Sequence, residues 1–150
     1  MKGFSETDLR DYQRRNPTRF AAPAEDPGTA WLEHDHQVRL IDWCRHDAPV
    51  AIRAQTAKLF AIPNGGDRHP AVAAKLRAEG VVAGTPDLML PVPIAPYAGL
   101  WIELKKFSGR TQPAQLERLE QLRQDGYHAV IAVGWQAARD VIVTYLGGGA

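Results

Sequence analysis

Three residues in this 150-residue chain have the types and spacing that phosphate chemistry requires: Asp87, Glu103 and Lys105. They sit in two short apolar runs, Asp87-Leu88-Met89-Leu90 and Leu100-Trp101-Ile102-Glu103-Leu104-Lys105, separated by a proline-rich loop from Pro91 to Gly99. If the runs pair as an antiparallel hairpin, Ala95 is the midpoint both of the loop and of the interval from Asp87 to Glu103. That register places Asp87 opposite Glu103 on one face, with Cβ atoms about 4.5–5.5 Å apart. Lys105 shares the face because side chains alternate along a strand, and Met89 pairs with Trp101. Two facing carboxylates repel unless a proton or a cation lies between them. Oxygen ligands suit Mg²⁺ or Mn²⁺, which keep several waters and take only one or two protein carboxylates. Such an ion polarises a phosphoryl oxygen and acidifies a bound water. A lysine beside it would orient or deprotonate that water, or stabilise the charge of a pentavalent phosphorane. The set predicts metal-assisted phosphodiester hydrolysis. Glu-Leu-Lys alone more often marks a solvated strand face, so the aligned Asp87 carries the reading. A bulge or a shifted loop would undo it.

The elements that must hold these residues read as follows. Trp31 to Arg45 is a helix, with Thr29 as its N-cap, acids Glu33 and Asp35 in the first turn, and an apolar stripe of Val38, Ile41 and Cys44 widened by Leu40 and Trp43. Leu59 to Ile62 is a short strand stopped by Pro63-Asn64-Gly65-Gly66. Pro70 to Glu79 is a helix closed by Gly80. Thr111 caps a helix over Gln112–Asp125 that buries Leu116, Leu119 and Leu122 and ends at Gly126. Tyr127 to Gly134 is an apolar strand covered on both faces, and Gln136 to Leu146 a final helix with Val141, Ile142 and Tyr145 inward. The order αβαββαβα packs as a mixed sheet flanked by helices, an α/β domain over 31–146. Residues 1–30, with Pro17, Pro23 and Pro27, read as a flexible arm with a short helix over Glu6–Arg14, and 147–150 as a frayed tail.

Composition narrows the setting. With 18 Lys+Arg against 17 Asp+Glu, the net charge is +1, which argues against gripping nucleic acid by bulk charge. The single cysteine, Cys44, excludes an internal disulfide and a cysteine zinc cluster and is expected in the core. His34 and His36 stand two apart on a helix and cannot face one ion. No apolar run approaches a membrane span, and the charged N-terminus is unlike a secretory signal. A soluble, reducing, cytoplasmic setting is expected, with no membrane partner. No phosphate-cradling glycine loop of the nucleotide-binding kinds is present.

Gly84-Thr85-Pro86-Asp87 followed by Glu103-Leu104-Lys105 resembles the PD-(D/E)xK nuclease signature, and more specifically the VRR-NUC family, the virus-type replication-repair nucleases. Further motifs keep that family's order: Glu33 and Gln37 on a helix, the turn Ile62-Pro63-Asn64-Gly65, the stretch Lys75-Leu76-Arg77-Ala78-Glu79-Gly80, and Gln115 on a helix. The similarity spans about residues 31–134 and leaves the arm outside. It implies a restriction-endonuclease-like fold and Mg²⁺- or Mn²⁺-dependent cleavage of DNA. It implies that Asp87 and Glu103 bind the metal, that the Leu104 carbonyl adds a ligand, and that Glu33 completes the site. Lys105 would handle the water, and Gln115 would position Lys105 or a phosphate. Stand-alone members of this size resemble viral or bacterial proteins that act as homodimers on branched DNA such as four-way junctions.

The remaining candidates weigh less. Glu33 competes with Asp35 and Asp42 on its own helix, where a first turn favours acids in any case. A glutamine such as Gln115 in a first turn is most often simply solvated. Asn64, Arg68, Lys75, Arg77, Lys106 and Arg110 are each ordinary surface or turn residues singly, yet together they flank the proposed site as phosphate contacts. Trp31, Trp43, Trp135 and Tyr145 exceed what a small core would bury, which favours a dimer interface. Two alternatives stay open: a non-catalytic DNA-binding or assembly module with a nuclease-like fold, and a nuclease acting on linear or single-stranded DNA.

Overall fold

The computed structural model describes residues 31–63, 69–107 and 109–147, and the backbone of 20–21. Among them the elements run β1 (Phe20–Ala21), α1 (Glu33–Asp42), a π-helical turn (Trp43–Asp47), α2 (Val50–Thr56), β2 (Phe60–Ala61), α3 (Pro70–Ala78), β3 (Leu88–Leu90), β4 (Leu100–Lys105), α4 (Pro113–Gln124), β5 (His128–Val133) and α5 (Trp135–Tyr145). The strands form one mixed sheet in the order β1-β5-β4-β3-β2. The hairpin has the register that its loop symmetry predicts: Leu88 faces Ile102, Met89 faces Trp101 and Leu90 faces Leu100. β2 adds antiparallel to β3, while β5 and β1 run parallel to their neighbours.

Alternation along β4 divides the molecule into layers. Leu100, Ile102 and Leu104 join Leu88, Leu90, Val130 and Ala132 on one face, where α1 and α5 supply Leu40, Ala137, Ala138 and Ile142 and the π-helical turn supplies Trp43 and Cys44. On the other face, α4 lays Leu119 and Leu122 over Ala129 and Ile131, with Trp101, Leu116 and Tyr127 at the margin. β5 is buried on both sides, as its continuous apolar run predicts. Burial pushes the Cys44 thiol up to about 12, so the cysteine is an inert part of the core.

Several expectations change. Val38 is 54% exposed, and the buried stripe of α1 and the turn after it is His36, Leu40, Trp43 and Cys44. Spacings of four and three select that stripe, and the π-helical turn then rotates the chain before α2, an element the apolar pattern does not reveal. Thr29, the expected cap, lies outside the described residues; the Leu32 N–H that opens α1 donates to the Asp35 carboxylate at 2.8 Å. Thr111 is buried and is not the cap of α4. That cap is Gln112, whose N–H donates to Gln115 Oε1 at 2.8 Å. The aromatic surplus is largely absorbed: Trp43 and Tyr145 are buried, the Tyr145 hydroxyl donates to the Val92 carbonyl at 2.7 Å, and Trp135 lies under the guanidinium groups of Arg39 and Arg139. Trp31 remains exposed. Phe20–Ala21, in the segment read as an arm, pairs with Ile131–Ala132 of β5.

Gly84 explains how the Asp87 segment is locked to α4. Its φ is +78°, and a Cβ there would lie 2.5 Å from the Ala114 carbonyl oxygen in the first turn of α4. Gly84→Ala therefore meets backbone as well as an unfavourable dihedral, and is expected to cost about 2–4 kcal/mol. A urea denaturation midpoint equal to wild type would show that this seat is not fixed.

Candidate active site

Extending the strand registers builds the site row by row on the face shared with α4. One row is Phe60, Met89, Trp101 and Ala129. The next is Ile62, Asp87, Glu103 and Ile131, since the Ile62 N–H donates to the Asp87 carbonyl at 2.7 Å and Asp87 continues the hairpin register opposite Glu103. Lys105 and Val133 begin the row beyond. The sheet thus places two acids side by side with a lysine one row on.

Each side chain is held by specific neighbours. Asp87 Oδ2 accepts the Leu104 N–H at 2.8 Å, taking the place of a ladder bond. The residue opposite Leu104 in this register is Pro86, which has no N–H to give. In an extended strand the N–H and C=O of one residue point to the same side. The Leu104 carbonyl therefore faces the Asp87 edge with no ladder donor opposite it. Glu103 is 1% exposed. Its Oε1 accepts from Lys105 Nζ at 2.9 Å and from the Gln115 side-chain amide, and its buried Oε2 has no hydrogen-bond partner. Gln115 spans both jobs: its oxygen caps α4 and its nitrogen braces Glu103. The sequence pointed Gln115 at Lys105 or a phosphate, whereas its partner here is Glu103.

Glu33, from the first turn of α1, approaches Lys105 Nζ at 4.0 Å with its side chain 47% exposed. Among the described residues no group of three or more His, Cys, Asp or Glu side chains is gathered as a metal cluster, and the ion-pair partner of Glu33 is Lys105. The loop after β4 turns tightly, the Gly109 N–H donating to the Lys106 carbonyl at 2.9 Å, and a Cβ on Gly109 would lie 3.1 Å from Glu33 Oε1. This loop carries Lys106 and Arg110 past the site. Lys75 and Arg77 sit on α3, which has no buried residue, and Lys75 pairs with Glu79 at 3.7 Å. Asn64 and Arg68 lie outside the described residues.

The electrostatics follow from burial. Burial raises the Asp87 carboxyl above its ordinary value, against the Leu104 N–H and the Lys105 charge, while Glu33 adds to the rise. Burial, and after it the Asp87 charge, push Glu103 up to about 7, with Lys105 pulling the other way. Burial works against the Lys105 ammonium, yet Glu103, Glu33 and Asp87 together hold it above the usual lysine value. The site is therefore short of positive charge. A buried glutamate and lysine with a half-buried aspartate, gathered on a mixed sheet beside a helix N-terminus, are the arrangement of a nuclease-type domain of the restriction-endonuclease-like fold.

Comparison with known proteins agrees with that class. A solved structure described as a VRR_NUC domain protein has a TM-score of 0.68 and 32% sequence identity, over 79% of this chain and 90% of that one. The chain belongs to the VRR-NUC family. No protein-family profile matches it, and no curated protein does. Sequence reasoning missed two contributors. Pro86 matters through the donor it lacks, and Phe60 through its row on the sheet; both become visible only once Asp87 is given a register.

Proposed function

We propose that this domain is a Mg²⁺- or Mn²⁺-dependent endodeoxyribonuclease, selective for branched DNA such as four-way junctions and working as a homodimer. The observation that supports the chemistry is the pair of half-buried Asp87 and buried Glu103, aligned on one face, both carboxyls raised, with Lys105 in contact with Glu103. The donors fit a small hard cation. The carboxylates of Asp87 and Glu103, the latter with its Oε2 unpartnered, and the Leu104 carbonyl would supply oxygen donors only, as Mg²⁺ or Mn²⁺ would require. When bound, the ion would supply Lewis acidity towards a phosphoryl oxygen and a more acidic water.

The protein's own groups do the rest. Asp87 and Glu103 would hold the ion and so set where a phosphate can lie, and Gln115 keeps Glu103 from rotating. Lys105 holds a proton at Nζ beside that position, where it stabilises developing negative charge or aligns the attacking water. Glu33 steadies the ammonium from the outer side. Lys106 and Arg110, with Lys75, Arg77, Asn64 and Arg68, are proposed phosphate contacts. For the dimer, Trp31 and Val38 border an open groove of about 570 Å³ that His34, Asp35, Arg39 and Asp42 also line, a mixed apolar and charged surface proposed to meet a second copy. No helix among the described residues is long and apolar enough to cross a membrane.

The test is a panel of end-labelled linear duplex, single strand, flap and four-way junction in Mg²⁺, Mn²⁺ and EDTA, beside a solution mass by light scattering. Divalent-dependent nicking that favours the junction, from a dimer, is the expected result. Nicking that persists in EDTA rejects the metal chemistry. Binding without cleavage in both ions favours the non-catalytic module, equal cutting of all substrates removes the branch selectivity, and a monomeric mass removes the dimer.

A further inference from the structure

The sheet face that carries the acids is only partly roofed. α4 covers the columns of β5 and β4 through Leu116, Leu119 and Leu122, and the β2 column at the other edge carries Phe60, 45% exposed. Phe60 pairs with Met89, two residues from Asp87 on the same face, so it is the diagonal neighbour of Asp87. Diagonal Cβ atoms lie about 7–8 Å apart, within reach of an aromatic ring. On the same face Met89 lies beside it, and Ile62 and Asp87 follow in the row of the acids. Charge is arranged otherwise, with Lys106 and Arg110 on the loop beyond the end of β4 and no ion pair to either among the described residues. A nucleic acid strand crossing the site would thus meet cations beyond the acids and an open aromatic face beside them.

We propose that Phe60 is a base-stacking platform, and that the substrate offers an unpaired base next to the scissile phosphate. This rests on the nuclease reading and refines its substrate class. A base inside a duplex has both faces covered by its neighbours, so a ring fixed on the sheet floor can stack only on a base released from the helix. Every base has a π-face, and a phenyl ring has no hydrogen-bonding group of its own with which to read base edges. Recognition at this position is therefore indifferent to sequence and sensitive to strandedness.

The experiment uses full-length protein with a flap duplex carrying 2-aminopurine next to the nick mapped with wild type, a fully paired duplex of equal length, and Ca²⁺ in place of the active ion during binding. Wild type quenches the probe and prefers the flap. Phe60→Ala and Phe60→Leu lose the quench and weaken flap binding by about 5- to 150-fold, while Phe60→Trp keeps both. The leucine variant retains apolar bulk, so its loss identifies the ring face and not the fold. A Phe60→Leu protein with undiminished quench and flap preference overturns the platform while leaving the nuclease intact. Wild type that neither binds nor cuts any of these DNAs in Mg²⁺ or Mn²⁺ overturns the nuclease reading itself.

Discussion

Asp87→Asn lowers divalent-dependent cleavage by about 10²–10⁴-fold while the domain stays folded. The substitution separates the two tasks of this residue. An asparagine oxygen can still accept the Leu104 N–H that Asp87 Oδ2 accepts at 2.8 Å, so the strand end keeps its bond. What disappears is the charge. Because the folded Asp87 carboxyl titrates above its ordinary value, its ionised form costs stability at neutral pH, and removing it returns that cost. The metal-free variant is thus expected to melt no lower than wild type at pH 8. Lys105→Met, which keeps the apolar stem of a buried side chain and deletes its ammonium, is expected to lose activity on a similar scale. It should also destabilise the protein, since Glu103 would then be buried without its cation. Initial rates on a labelled junction, beside thermal melts of both variants, check the pair. Full activity in either would detach this site from the chemistry.

The second large effect is stabilisation by the ion. A ligand at a hundredfold excess over its Kd adds about 2.7 kcal/mol, which is on the order of 5–10 °C for a domain of this size. Its pH dependence has a definite sign. Glu103 titrates at about 7 in the metal-free fold, above the ordinary value of 4.5, so the fold retains a proton that the unfolded chain has already lost. Metal-free stability therefore falls as pH rises from about 4.5 to about 7. Metal binding requires the deprotonated carboxylate, so the thermal increment is larger at pH 8 than at pH 6, with apparent affinity declining towards tenfold per unit below 7. Differential scanning fluorimetry with Mn²⁺ at both pH values, on wild type and Asp87→Asn, checks it. Equal increments at the two pH values, or an increment retained in the variant, would place the ion elsewhere.

The hairpin was legible because its loop is symmetric: equal arms about Ala95 leave one register that buries Leu88, Leu90, Leu100, Ile102 and Leu104 together. That one inference carried the acid pair, the lysine and the pairing of Met89 with Trp101. Apolar periodicity also located α4, β5 and α5 to within a few residues. It failed where tertiary contacts decide. Val38 fits a helical stripe, but α1 presents His36 and Leu40 to the core, and His36 Nδ1 accepts the Trp135 N–H at 3.3 Å, a bond across 99 residues. The π-helical turn overlaps the end of the helix expected over Trp31–Arg45 because apolar spacing does not distinguish a wider turn, and α2, seven residues long after Pro49, is too short for its periodicity to mark it. Gln115 was found by its order along the chain, yet its partner could not be, because that partner depends on how closely α4 approaches Glu103 over the bare backbone of Gly84.

One glutamine amide closes the first turn of α4 and braces Glu103. Fraying of that helix end and loosening of the carboxylate are then one event sharing one free energy. Anything that immobilises Glu103 must quieten the neighbouring turn, and anything that pries the turn open, such as torsion on the loop from Lys106 to Gln112, must slacken the grip below. The helix terminus is in that sense a mechanical readout of whether the acid beneath it is engaged.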